Sequence, residues 1–118
     1  MNPVATLVVA ASRMLGSAPA RVWDALRREL PGEETHAEEG AVLRFRHTGT
    51  RGWLPFGAVD GEYRLEPSPS GTRLTYTLRA AGIPERMQGV LRRRLEGYVD
   101  ASLSARSLSL SAASRGRA

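Results

Sequence analysis

An amphipathic stretch near the end of the chain, from Ile83 to about Leu103, sets the terms on which this sequence can fold. Pro84 suits a first helical position, having no N–H to leave unpaired, and Glu85 sits where the helix dipole favours negative charge. Ile83, Met87, Leu91, Leu95 and Tyr98 recur at steps of three and four, and Val90, Val99 and Leu103 widen the stripe. Arg86, Arg92, Arg93, Glu96 and Asp100 take the opposite face. A helix of this kind is stable only when its stripe is covered. The strand-like segments upstream are the available cover, so a sheet closing on a long helix is expected.

Those segments follow in order. Val4 to Leu15 has moderate β propensity with imperfect alternation and reads as a first strand, ended by Gly16 and Ser17. Ser17 is placed to cap a short helix whose early turn tolerates Pro19; Val22, Leu26 and Leu30 share its apolar face, and Pro31-Gly32 ends it. Glu33 to Glu39 is too polar for a core strand and reads as a solvated edge or a loop. Ala41 to Thr48 alternates, with Leu43, Phe45 and His47 on one side and Val42, Arg44 and Arg46 on the other. Val59 to Leu65 places Val59, Gly61, Tyr63 and Leu65 inward, and Thr72 to Ala80 does the same for Leu74, Tyr76 and Leu78. The turn signal from Pro67 to Gly71 joins these last two as a hairpin.

At 118 residues the chain has room for one core. It has no cysteine and two histidines, so disulfides and thiolate metal sites are excluded and no metal or other cofactor is expected. Arg13 interrupts the apolar N-terminal run, which lacks a basic leading segment; no stretch approaches the ~20 apolar residues that span a bilayer. A cytoplasmic location follows as the expectation. The net charge of +5 invites comparison with nucleic-acid binders. All 17 basic residues are arginine, however, and they are scattered along the chain, so no nucleic-acid partner is expected.

The order of strand, short helix, antiparallel meander and long C-terminal helix resembles the START-like, or SRPBCC, superfamily with its helix-grip fold. Ser17–Leu26, with Pro19, Val22, Trp23 and Leu26, looks like that superfamily's first helix; Gly71–Leu78 looks like its last strand and Leu91–Tyr98 like its closing helix. The resemblance implies an α+β fold: an antiparallel sheet of five or six strands wrapped around the C-terminal helix, with residues 1–103 as the domain. Residues 104–118, rich in serine and arginine, would be a disordered tail or a helix extension. The superfamily includes lipid and sterol carriers, plant hormone-binding proteins, polyketide aromatase/cyclases and subunits that act on other proteins. Members usually have six or seven strands, and the shorter span here implies a small or filled cavity.

The functional expectation is a hydrophobic small molecule, apolar or aromatic, held between sheet and helix. Leu43, Phe45, Tyr63, Tyr76, Met87, Leu91 and Tyr98 would form the wall. His47 is either a hydrogen-bonding or basic group inside the grip or a strand-end histidine touching water. The three tyrosines either converge on a ligand or are core aromatics with hydroxyls at the rim. Trp53 and Phe56, in a Gly- and Pro-containing segment, form a lid or cap the open end of the core. Arg94 clamps an anionic ligand or snorkels to solvent. Two rivals stand beside the carrier: a polyketide cyclase or aromatase-like enzyme using His47 or a tyrosine, and a protein-interaction module with a filled core. A homodimer is open in each case.

Overall fold

The computed structural model describes residues 4–47 and 59–115. Among these residues five strands form one antiparallel sheet in the order β1-β5-β4-β3-β2: β1 (Val4–Leu15), β2 (Gly32–Glu38), β3 (Val42–His47), β4 (Val59–Ser68) and β5 (Gly71–Pro84). Helix α1 (Pro19–Arg28) follows β1, and helix α2 (Gln88–Arg115) closes the chain. This is the α+β architecture expected. The acidic segment after α1 is a solvated edge strand, not a loop.

The alternating segments form the sheet because each has one apolar side to bury. Leu43, Phe45, Tyr63, Leu65, Leu74, Tyr76 and Leu78 lie in the core, while Arg44, Arg46, Asp60, Arg64, Arg73 and Arg79 are exposed on the other face. Register irregularities between Ala5 and Leu7 in β1 and between Glu34 and His36 in β2 have the form of bulges, which add bend and twist. The β4–β5 hairpin pairs Ser68 with Gly71. Gly71 has φ of 143°, and a Cβ there would collide with the Leu15 carbonyl, so a glycine lets β5 start against the end of β1.

Helix α1 buries Val22, Trp23 and Leu26. Its N-cap is Ala18, without a side-chain cap, and not Ser17: Pro19 takes the first helical position. The Ser17 carbonyl instead accepts a buried hydrogen bond from Thr72 Oγ1 at 2.8 Å, tying the β1–α1 joint to β5.

Helix α2 packs chiefly on β1 and then on β5. Leu91, Leu95, Val99, Leu103 and Leu110 are its buried line, so the sheet of the same chain covers the stripe. The start differs from expectation: Ile83 and Pro84 belong to β5, and a 3-10 turn over Glu85–Met87 precedes α2. That turn has about three residues per revolution rather than 3.6. Within α2, Val90 stands about 100° of helix rotation from Leu91 and off the buried line: counted with the apolar stripe, it is 60% exposed. The helix then continues through the serine-rich segment to Arg115.

Candidate functional site

Sequence alternation predicts that residues from β3, β4 and β5 meet on the concave face, and they do. Leu43 pairs with Tyr63, and Tyr63 with Tyr76, so their side chains stand side by side. The Tyr63 and Tyr76 rings are 4.6 Å apart, Phe45 lies 5.2 Å from Tyr63 and 6.2 Å from Tyr76, and Tyr98 of α2 stands edge-on 6.4 Å from Tyr76. These are ordinary aromatic contact distances, each worth about 0.5–1.5 kcal/mol beyond burial. The centre of the grip is therefore filled by rings. Leu43, Phe45, Tyr76 and Leu91 are core residues, Met87 packs partly buried beside them, and none of the five lines the concavity under α2.

That concavity, about 250 Å³, lies to one side, between the end of α1 and the middle of α2, and is lined by Glu29, Pro31, Tyr63, Tyr98, Ser102, Ala105 and Arg106. A larger groove of about 470 Å³ runs over the outward face of the sheet among Arg44, Arg46, Asp60, Glu62 and Arg79. Exposed ion pairs line it, Arg44–Glu62 at 2.9 Å and Arg46–Asp60 at 3.3 Å. Solvent already satisfies such groups, so size alone does not make the groove the better candidate.

Buried polarity distinguishes the smaller site. Arg106, with its side chain only 13% exposed, bonds the Glu29 carboxylate, bonds the Glu29 carbonyl at 3.0 Å, and stands 5.9 Å from the Tyr63 ring centre. Burial pushes the Tyr63 pKa above 10, while the facing guanidinium offsets part of the rise. Tyr76 is pushed up further by burial and by the neighbouring phenols, and its hydroxyl makes no hydrogen bond of good geometry, although those of Tyr63 and Tyr98 are near enough to influence it. On the other flank, His47 Nε2 is 2.8 Å from the Tyr98 hydroxyl, and the two rings meet edge-on at 5.2 Å. Burial lowers the His47 pKa, favouring neutral imidazole. The resulting constellation has phenol donors, one guanidinium and a neutral imidazole one step behind. Because the Glu29 carboxylate that pairs with Arg106 lines the same concavity, the guanidinium is already neutralised, and the arrangement suits a neutral ligand oxygen that accepts hydrogen bonds.

Of the residues expected from sequence, the structure brings together Phe45, His47, Tyr63, Tyr76 and Tyr98, with Leu43 beside them. Arg94 is exposed on α2. Trp53 and Phe56 lie outside the described residues. Arg106 escapes the sequence reading because it sits in the serine-rich segment. Arg94, Tyr98, Ser102 and Arg106 nevertheless follow at steps of four, so extending the helical row past Leu103 would have found it. Among the described residues no group of three or more metal-ligating side chains occurs, and no helix is long and apolar enough to cross a membrane.

No protein-family model matches the chain, and no curated protein does. Solved structures match it along most of its length. The solution structure of ChR145 from Cytophaga hutchinsonii aligns with a TM-score of 0.66 at 12% identity, covering 92% of this chain and 97% of that one. TTHA0849 from Thermus thermophilus aligns at 0.60 and 21% identity, covering 92% and 99%. The di-domain ARO/CYC StfQ from the steffimycin biosynthetic pathway aligns at 0.50 and 12% identity, covering 88% of this chain and 47% of its own. At such identities the likeness is one of fold: an antiparallel sheet with a short helix after its first strand and a long C-terminal helix packed on one face.

Proposed function

We propose that this chain is a small binding domain for a compact aromatic or apolar molecule bearing an oxygen, seated against Tyr63, Tyr98 and Arg106 between sheet and helix. The observation that carries the reading is the convergence of two tyrosines and a largely buried guanidinium on one concavity under α2. At about 250 Å³ the space suits one ring system rather than a lipid. Burying ~200 Å² of apolar ligand contributes roughly 5 kcal/mol, similar in size to the cost of association. Affinity and selectivity therefore depend on the polar anchor. Phe45 and Tyr76 serve this reading as the packed rings behind Tyr63 and Tyr98, with Leu43 beside Tyr63.

Native mass spectrometry of the purified full chain tests it. A molecule retained by the wild type and lost from both Tyr63→Phe and Arg106→Ala supports the proposal. Retention undiminished in both variants contradicts it.

A second reading, an aromatase/cyclase-like enzyme, is favoured by the neutral His47 bonded to Tyr98 and by the ARO/CYC neighbour in fold. There His47 would take a proton through, or together with, the Tyr98 hydroxyl. It requires that His47→Gln lose turnover while keeping ligand affinity. The interaction-module reading draws on the ring-filled centre of the grip, and a chain that retains no small molecule would favour it.

A further inference from the structure

The two edges of the sheet are built differently. On β2 every residue from Glu33 to Glu38 is exposed, and three of the six are glutamate, a charged edge of the kind that resists strand addition. On β1, 12 residues long, there is no acidic residue. Its single charge, Arg13, is turned toward α2, where it bonds Ser104 Oγ at 2.7 Å and Asp100 Oδ1 at 3.5 Å. Three of the four large hydrophobics exposed among the described residues are on β1: Val4, Val8 and Met14.

The backbone of β1 has an open side. The Leu65 N–H bonds the Ala41 carbonyl beside β3, so by alternation its neighbour Arg64 bonds towards β5, and its partner there, Thr75, turns its backbone groups to β4. Ser12, opposite Thr75 on the other side, is in a pair that does not exchange backbone hydrogen bonds. The Ser12 N–H and C=O accordingly point away from β5. Val8 has the same parity, and its carbonyl is reached from outside the ladder by Arg92 Nη1 at 3.4 Å. Val8, Ala10, Ser12 and Met14 thus present a row of donors and acceptors that β5 does not take.

We propose that β1 pairs antiparallel with β1 of a second copy about a two-fold axis at Ala11, joining two sheets into one. That register sets Val8 opposite the partner's Met14 and Ala10 opposite the partner's Ser12, covering the apolar side chains on the outward face. Charge on α2 fits the same axis. Arg92 stands beside Val8 and Asp100 beside Arg13, on one helical row, so each Arg92 is carried toward the partner's Asp100. Glu96, between them on that row, is carried toward its own copy and opposes the pairing. The glutamate-rich β2 edges are left at the far ends, so assembly stops at two copies.

Sedimentation equilibrium of the full chain, from low to several hundred micromolar, is the test. The wild type is expected to reach twice the 12.8 kDa chain mass. Val8→Lys and Ala10→Pro should weaken the dimer about tenfold or more with unchanged circular dichroism, and Glu96→Gln should tighten it. A wild type that stays monomeric overturns the proposal, as does a dimer that neither Val8→Lys nor Ala10→Pro weakens. Hydrogen exchange on the wild type reads the seam without mutation: the Val8, Ala10 and Ser12 amides should exchange more slowly at high concentration than at low, and equal rates would overturn it.

Discussion

His47 Nε2 and the Tyr98 hydroxyl lie 2.8 Å apart, joining the end of β3 to the middle of α2. Burial holds the His47 pKa below 6.5, because a charged imidazole would lose its hydration there. As pH falls below 6.5 the unfolded chain takes a proton on His47 that the folded chain resists. Stability must therefore fall with pH in that window. The melting temperature is expected to drop between about pH 7 and about pH 5, with a shallower drop in His47→Gln. Identical slopes for the two proteins would remove His47 from the explanation.

The ring of Phe45 occupies the space that a side chain at Gly61, its paired neighbour on β4, would need. A Cβ at Gly61 would come within 2.9 Å of three Phe45 ring carbons, and that ring is fully buried beside Tyr63 and Tyr76. Gly61→Ala is expected to cost about 1–3 kcal/mol in urea unfolding, the range for overpacking a tight core. A change under about 0.5 kcal/mol would mean that the aromatic cluster yields more easily than its burial implies.

The Tyr76 hydroxyl is buried without a well-formed hydrogen bond, so its desolvation is poorly repaid. Tyr76→Phe is expected to be neutral or stabilising by up to about 1 kcal/mol, whereas Tyr63→Phe, which gives up a contact with Arg106, should lose about 0.5–1.5 kcal/mol. Urea unfolding of the two variants side by side decides the matter, and the reverse ranking would refute it. Both phenols titrate above 10 in the fold, so stability should also decline as pH rises past 10, where the unfolded chain releases these protons and the folded chain keeps them.

Much of the fold is legible in the sequence because burial on one face writes period two into a strand. Leu43–Phe45–His47, Gly61–Tyr63–Leu65 and Leu74–Tyr76–Leu78 all face inward as their spacing implies. The junction at Ile83 and Pro84 misleads for a physical reason. Among the described residues the end of β5 past Ala80 pairs with β1 alone, and an apolar residue followed by proline suits such a strand end as well as a helix start. The site is half legible. Strand parity places the tyrosines, but the pairing of Arg106 with Glu29 joins residues 77 apart, and nothing in local spacing announces it.

Binding of a compact aromatic oxygen compound at Tyr63, Tyr98 and Arg106 is tested most directly by amide chemical-shift titration with 2-naphthol, using naphthalene as the control. The expected result is saturable shifts at Tyr63, Tyr98, Ser102 and Arg106, weaker with naphthalene and reduced about fivefold or more in affinity by Arg106→Ala. Shifts that do not saturate, or that cluster on the outward groove at Arg44, Arg46 and Arg79, would contradict it.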